Sequence, residues 1–364
     1  MSAATGRVLD LFAGPGGWSE GLRALGLAEV GVEIDPAACA TRAAAGHRTI
    51  RADVAAFPTA QLRGKVTGLI ASPPCQTFSA AGLRAGNDDM DLCHQGLDDL
   101  ARGNDTRPAL RTACADPRSL LVVEPLRFAL DLRPDWVALE EVPAVLPLFE
   151  HTARLLAGVG YSTWTGVLNA ADFGLAQTRR RAFLIASRTR PALPPEPTHA
   201  DGGTPADLFG DGLPTWRTMG DVLGCPPSEV ITRGNHTTGG SRFPTTGPSW
   251  ALTGRARSWR LRSGQGWKSG PGRSVGSTGR LERVIGEPSF TITGTANRCK
   301  WVGDGVEERN LTLGEAATLQ SFPSDYPFLG SRTSQFQQIG NAVPPLLATA
   351  VLRPLVPAAL EVAA

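Results

Sequence analysis

"GRVLDLFAGPGGWSEGLRALGL", residues 6–27, is the stretch from which the fold can be read. The run from Val8 to Leu11 has the apolar character of a short buried strand, and it leads straight into glycines at 14, 16 and 17. After the glycines, "WSEGLRALGL" (18–27) has the spacing of a short amphipathic helix. Strand, glycine turn and helix together form a βα unit suited to holding a cofactor at the turn. A dinucleotide fingerprint requires glycines at the first, third and sixth places. Gly14 and Gly16 meet that pattern, but Ser19 holds the sixth place, so a pyrophosphate is not the obvious ligand.

Outward from this unit the alternation continues. "AEVGVEID" (28–35) is a second strand, followed by the alanine-rich "PAACATRAAAG" (36–46). "TGLIASPP" (67–74) and "PDWVALEEV" (134–142) read as further strands, with "LLVVEPLRFALDLR" (120–133) as a helix between them. "HTARLLAGVG" (151–160) and "RAFLIAS" (181–187) extend the series. Strands separated by helices predict an α/β fold with a parallel, doubly wound sheet, whose ligand lies at the carboxyl ends of the strands. Glu33 stands at such an end, where a carboxylate accepts hydrogen bonds from both hydroxyls of a ribose. Asp53, in "RADV" (51–54), is placed to accept from an adenine amino group. Two acids reading a nucleoside that has no phosphates suggest S-adenosylmethionine. Both acids are equally suited to capping helix N-termini, so this pair leaves two readings open.

The whole chain sets bounds. Its 364 residues lead one to expect two domains, and 41% hydrophobic with 19% charged residues is globular composition. A net charge of +2 says little about partners. No apolar run reaches membrane-span length and "MSAATGRVLD" has no signal-peptide core, so a cytoplasmic protein is expected. The six cysteines (39, 75, 93, 114, 225, 299) include no C-x-x-C pair. Cys93, His94 and Cys114 lack the tight turn that would complete a metal site, so no metal is expected.

One cysteine has a different setting. In "SPPCQTFSAAG" (72–82), Pro73 and Pro74 stiffen the chain just before Cys75, at the exit of a strand, with small residues beyond. That setting suits a thiol that must reach a reacting atom at the rim of a sheet.

Taken in order, these segments resemble the DNA cytosine-5 methyltransferase family of bacteria, nearly end to end. "DLFAGPGGWSEGL" (10–22), "VEID" (32–35) and "RADV" (51–54) resemble its first three motifs, and "SPPCQTFSAAG" its nucleophile motif. "DPRSLLVVEPLRFALDLRPDWVALEEV" (116–142) resembles the segment ending in the catalytic Glu, and "DFGLAQTRRRAFLIA" (172–186) the Gln-x-Arg-x-Arg motif. "RNLTLGEAATLQSFPSDY" (309–326) and "QIGNAVPPLLA" (338–348) resemble the closing pair.

The resemblance implies a Rossmann-like, doubly wound S-adenosylmethionine-dependent methyltransferase sheet with a smaller, irregular, β-rich target-recognition domain. It implies Cys75 as the nucleophile that adds to cytosine C6, and Glu140 as the acid at N3. Arg181 is implied at O2, with Arg179 supporting Cys75 and its loop. Phe12, Gly14, Gly16, Gly17, Glu33, Ile34, Asp53, Val54, Pro74, Asn341 and Val343 are implied as the S-adenosylmethionine site, with S-adenosylhomocysteine as product. Gln76 and Ser79 are implied as DNA contacts. A monomer in a bacterial or phage cytoplasm is expected, acting on double-stranded DNA in a restriction-modification setting, with no membrane and no obligate protein partner.

Two features depart from the family pattern. Glu141 stands where the family has Asn after the catalytic Glu. The stretch 85–115, "AGNDDMDLCHQGLDDLARGNDTRPALRTACA", is extra length, expected to extend the mobile loop that closes over the base.

Near residue 190 the texture changes to the Pro- and Gly-rich "RTRPALPPEPTHADGGTPADLFGDGLP" (188–214). The expected division is residues 1–190 plus 335–364 as catalytic domain and 191–334 as target-recognition domain. Five of the eight tryptophans fall between Trp216 and Trp301. In "GRARSWRLRSGQGWKSGPGR" (254–273), Arg255, Arg257, Arg260, Arg262, Lys268 and Arg273 alternate with Trp259 and Trp267, and no acid intervenes. Phosphate neutralisation plus base stacking fits that composition, so these cations are the candidate DNA readers. A transfer RNA methyltransferase of the same fold would generally lack so long a segment. A regulator without catalysis would not need Cys75, Glu140 and Arg181 together.

Overall fold

The computed structural model describes residues 7–74, 76–78, 85–206, 210–224 and 306–356, with shorter pieces at 230–233, 241–242, 274–275, 281–284, 286, 288–290, 292 and 300–303. The chain divides into two compact units: residues 1–168, 180–196 and 347–364 form one, and 169–179 with 197–346 form the other.

In the first unit the glycine-turn strand becomes an interior strand of a seven-stranded sheet. Its strands are β1 (Val8–Leu11), β2 (Glu29–Glu33), β3 (Arg48–Arg51), β4 (Gly68–Ala71), β5 (Trp136–Glu141), β6 (Ser162–Asn169) and β8 (Arg180–Ser187); the two-residue β7 (Gln177–Thr178) lies apart, in the second unit. The order is β3-β2-β1-β4-β5-β8-β6. Every residue of β1, β4 and β5 is buried, as strands covered on both faces require. Leu9, Leu11, Leu69, Ala71, Val137 and Leu139 from these three strands belong to one core.

The strands β1 to β5 pair in parallel, as the alternation predicts. The strand "RAFLIAS" departs from it: β8 runs antiparallel to β5, with Leu139 opposite Leu184. The reason lies in the connection. Between β6 and β8 the chain has no crossover helix, only a 3-10 turn (Ala170–Phe173) and β7. A parallel return needs a crossover of a dozen or more residues, usually a helix. The sheet is therefore mixed.

The helices of this unit are α1 (Gly17–Ala24), α2 (Pro36–Ala44), α3 (Ala85–Asp88), α4 (Met90–Ala101), α5 (Arg107–Ala113), α6 (Glu124–Leu132) and α7 (Leu146–Gly158). The extra length corrects an expectation, because its described part is packed helix rather than an extension of a mobile loop. On α4, Cys93 and Leu97 stand four residues apart and are fully buried, and Leu110 of α5 and Cys114 join the same core. Burial pushes the Cys93 thiol up to about 12 and the Cys114 thiol up to about 11. His94 turns to His151 of α7, with Nδ1 atoms 2.8 Å apart. These three side chains are spent on packing α4. Among the described residues, no group of His, Cys, Asp or Glu is arranged to hold a metal, and no helix is long and apolar enough to cross a membrane.

The second unit carries a four-stranded antiparallel sheet ordered Leu281–Val284, Val230–Arg233, Lys300–Gly303, Val306–Asn310. Three further helices follow in chain order: α8 (Met219–Leu223), α9 (Leu313–Leu319) and α10 (Arg332–Asn341). The stretches 169–179 and 335–346, expected with the larger domain, pack in this unit. Buried hydrogen bonds hold them there. The Gln177 side-chain amide donates to Leu319 O and Gln320 Oε1, and Gln320 Nε2 donates to Ala342 O. The last helix, α11 (Pro345–Leu352), belongs mostly to the first unit, where Leu347, Ala348, Val351 and Leu352 are buried.

Candidate active site

The glycine turn is built from backbone that few side chains tolerate. Phe12, Gly14 and Gly16 all have positive φ, at 57°, 53° and 109°. Glycine adopts that region at little cost, whereas a residue with a Cβ pays for it, so Phe12 is held there by its surroundings. The Gly14 N–H donates to Glu33 Oε2 at 2.8 Å, and the N–H groups of Ile34 and Asp35 donate to Glu33 Oε1 at 2.8 Å. The Glu33 carboxylate, at the carboxyl end of β2, is thereby fixed in place.

The two readings of the strand-end acids now separate. Asp35, not Glu33, caps α2 by accepting from the Ala37 N–H. Asp53 does cap: its Oδ1 accepts the Ala55 N–H at the start of the 3-10 turn Val54–Ala56. Beside Glu33, Ile34 is 61% exposed, an unusual state for so apolar a residue, while Phe12 and Pro74 are half-buried. A fixed carboxylate for vicinal hydroxyls, an exposed apolar side chain and a second acid one strand over match the chemistry of a nucleoside. The donor set therefore fits the nucleoside part of S-adenosylmethionine. Asn341 and the buried Val343 are in the second unit.

Toward Cys75, Trp18 Nε1 of α1 donates to Ser72 Oγ at 2.9 Å, and its ring meets Phe183 of β8 edge to face at 6.3 Å. The strand exit that leads to Cys75 is thus tied to the helix of the glycine turn. Cys75 itself and Ser79 lie outside the described residues, as do Arg255, Arg257, Arg260, Arg262, Lys268 and Arg273. Gln76 is exposed and its Oε1 accepts from Arg118 Nη1 at 2.8 Å. Arg118 is held in turn by the Asp116 carboxylate.

Glu140, on β5, is 5% exposed and takes Arg181 Nε on its Oε1 at 3.1 Å. Antiparallel pairing of β5 with β8 is what brings these two together, since Glu140 faces Phe183, two residues from Arg181 on the same face of the sheet. Glu141, next on the strand, extends to the opposite face. It is 1% exposed, its Oε2 accepts the Val142 N–H, and its Oε1 has no partner among the described residues. Burial, with Glu140 nearby, pushes its carboxyl well above the usual range. The neutral, protonated form is therefore favoured. In that form it carries a donor and an acceptor on a planar group, as an asparagine does.

Arg179 directs its guanidinium into the second unit, where Nη1 donates to Gly340 O at 2.9 Å and to Ile292 O at 3.5 Å. The site also contains residues that pattern reading missed. Asp10 of β1 is wholly buried, and among the described residues neither of its oxygens has a partner. Burial raises its carboxyl well above the usual range, against a smaller pull from Arg42. Arg42 and Glu29 form a buried ion pair beneath the turn. The one visible hint was Ser19 in a glycine's place: its Oγ donates to Glu29 and accepts from Arg42.

A model of the C-5 cytosine-specific DNA methylase family matches residues 6–92 and 109–356. The unmatched residues 93–108 fall in the extra helical stretch. The chain is 29% identical over 371 residues to the Type II methyltransferase M1.HphI of Haemophilus parahaemolyticus, covering 94% of this chain and 84% of the relative. It is 28% identical over 372 residues to M.NgoMIV of Neisseria gonorrhoeae, covering 96% of this chain and 97% of the relative. The crystal structure of the S. pombe Dnmt2 methyltransferase has a similar fold, with a TM-score of 0.58 at 15% identity over 96% of this chain and 99% of that one.

Proposed function

Because this chain belongs to the C-5 cytosine-specific DNA methylase family, we propose that it methylates a cytosine flipped out of a specific double-stranded DNA sequence, through a bond between Cys75 and C6. It is a DNA (cytosine-5-)-methyltransferase and its methyl donor is S-adenosylmethionine. The observation that carries the finer mechanism is the Glu140–Arg181 pair at the carboxyl edge of the sheet, with Glu140 buried and Arg181 half-buried.

Cytosine C5 is a poor carbon nucleophile. Addition of the Cys75 thiolate to C6 converts the ring to an enamine, while the Glu140 carboxyl gives its proton to N3. Arg181, held on Glu140, supplies positive charge where the ring's O2 gains electron density. S-adenosylmethionine, when bound, would supply the methyl group as an electrophile, with S-adenosylhomocysteine as its product. Loss of the C5 hydrogen as a proton to water restores the double bond and expels the Cys75 thiolate, and N3 returns its proton to the Glu140 carboxylate. C6 is out of reach inside a duplex, so the base must leave the stack, at a cost of roughly a few kcal/mol. Phe12, Gly14, Gly16, Gly17, Glu33, Ile34, Asp53, Val54 and Pro74 hold the donor, joined by Asn341 and Val343.

DNA choice belongs to the smaller domain, with Arg255, Arg257, Arg260, Arg262, Lys268 and Arg273 on phosphates and bases. Gln76 and Ser79 contact the DNA around the flipped base. The bacterial relatives are Type II methyltransferases, which supports a restriction-modification setting. The enzyme acts as a monomer, in a bacterial or phage cytoplasm. Exchanging residues 200–305 for the matching segment of a relative should change the methylated sequence, read by bisulfite sequencing, and leave the chemistry unchanged. Retention of the original target would place the readers elsewhere.

Duplex DNA carrying 5-fluorocytosine at the target tests the covalent step. Fluorine cannot leave C5 as a cation, so elimination stalls. A complex that survives denaturing electrophoresis, requires S-adenosylmethionine and maps by peptide mass to Cys75 is expected. A different attacking residue, or no adduct on DNA that is methylated normally when unfluorinated, overturns the mechanism.

A further inference from the structure

We propose that Arg42 is a positioning residue for the cofactor turn, holding the Ala13 carbonyl so that the Gly14 N–H stays on the Glu33 carboxylate. The proposal rests on the reading of Glu33 as a cofactor-binding acid.

Arg42 lies in an alanine-rich helix, yet it is fully buried and every guanidinium nitrogen is engaged. Nε donates to Thr49 Oγ1 at 2.8 Å. Nη1 donates to Ser19 Oγ at 2.8 Å and to Ala13 O at 3.4 Å. Nη2 donates to Glu29 Oε1 at 2.5 Å and to Arg48 O at 3.2 Å. One side chain thus joins α1, α2, β2, β3 and the turn itself. Burying an ion pair seldom stabilises a protein more than apolar side chains of similar volume would. Packing alone is therefore a poor reason for an arginine here. Direction is a better one, because a planar fork of five donors fixes several acceptors at once.

The acceptor that matters is Ala13 O. Ala13 stands between Phe12 and Gly14, which both have positive φ. Its N–H donates to Val32 O at 3.2 Å, and its carbonyl faces Arg42. The next N–H, that of Gly14, is the one on Glu33 Oε2. Arg42 thus restrains the residue before the contact that orients Glu33. The neighbouring strand leaves room for it. A Cβ at Gly31 would lie 2.4 Å from Arg42 Nη2 and 2.7 Å from Ala13 Cβ, so only glycine admits both groups.

The test measures S-adenosylmethionine affinity by calorimetry on the full chain, with thermal unfolding and steady-state kinetics alongside. Arg42→Met keeps the bulk and removes the donors. It should weaken binding about 10-fold or more, in line with the cost of displacing a positioned group, and raise the cofactor KM in step while kcat at saturation stays near wild type. Arg42→Lys keeps a charge against Glu29 without the fork; it should show the same split, and it replaces Arg42→Met if that variant does not fold. A folded variant with unchanged affinity, or with kcat lowered and affinity unchanged, overturns the proposal. Glu33→Ala serves as the control. If it loses affinity while the Arg42 variants do not, only the role of Arg42 falls. If it binds normally, the cofactor reading of Glu33 falls and the proposal with it.

Discussion

Cys75→Ala should abolish methyl transfer and leave S-adenosylmethionine binding nearly intact. Without a thiolate on C6 the ring stays aromatic, and C5 has too little electron density to attack a methyl sulfonium. A loss on the order of 10⁴-fold or more in single-turnover methylation is expected, the scale seen when an enzyme loses its nucleophile. Serine at the same place should do no better, since its hydroxyl is far less acidic than a thiol. Donor binding is expected to survive because the contacts proposed for it run through Glu33, Ile34 and the glycine turn, at the ends of β1 and β2. A Cys75→Ala protein that still methylates DNA would falsify the covalent route.

Glu140→Gln should lower kcat by at least ~100-fold, about 2.7 kcal/mol of barrier, with little change in thermal stability. Glutamine keeps the shape of the side chain and still offers an oxygen to Arg181 Nε, the bond seen at 3.1 Å in the native protein. It cannot deliver a proton to N3. The variant therefore separates proton delivery from holding Arg181, provided that donor affinity is measured in parallel. Turnover near normal would move the acid role to Glu141. That residue is a real competitor, because burial and the nearby Glu140 favour its protonated form. Its position on the other face of β5 speaks against it, and the kinetics decide.

Much of the site could be read along the chain because its signals are local. Val8 to Leu11, then Gly14 and Gly16, then an amphipathic run can form only a strand, a turn and a helix, and the structure has them in that order. Glu33 was singled out because strand ends in such sheets face the ligand. The order of the motifs then carried the family. Asp35 shows where this kind of reading stops. Two acids separated by one residue look alike as helix caps, and only the fold assigns capping to Asp35 and leaves Glu33 to the Gly14 N–H.

Tertiary structure decided what depends on partners distant in the chain. The direction of β8 followed from the missing crossover between β6 and β8, and it is this antiparallel register that puts Arg181 on Glu140. The extra stretch read as loop because its length was counted; its apolar face mattered only once α4 and α5 had a core to meet. Glu141 read only as a departure from the family's Asn, and it is its burial, with Glu140 nearby, that raises its carboxyl. Arg42 gave no signal at all, as one cation in an alanine-rich helix reads as solvated. Its acceptors come from residues 13, 19, 29, 48 and 49, and no local pattern reports a buried arginine whose partners meet only when three strands and two helices have packed. The sequence by itself determined the elements and the chemistry they carry, because backbone preference and apolar period act between near neighbours. Which charges are paired, neutral or aimed was left to the tertiary structure, because burial and hydrogen-bond direction exist only after the chain has closed on itself.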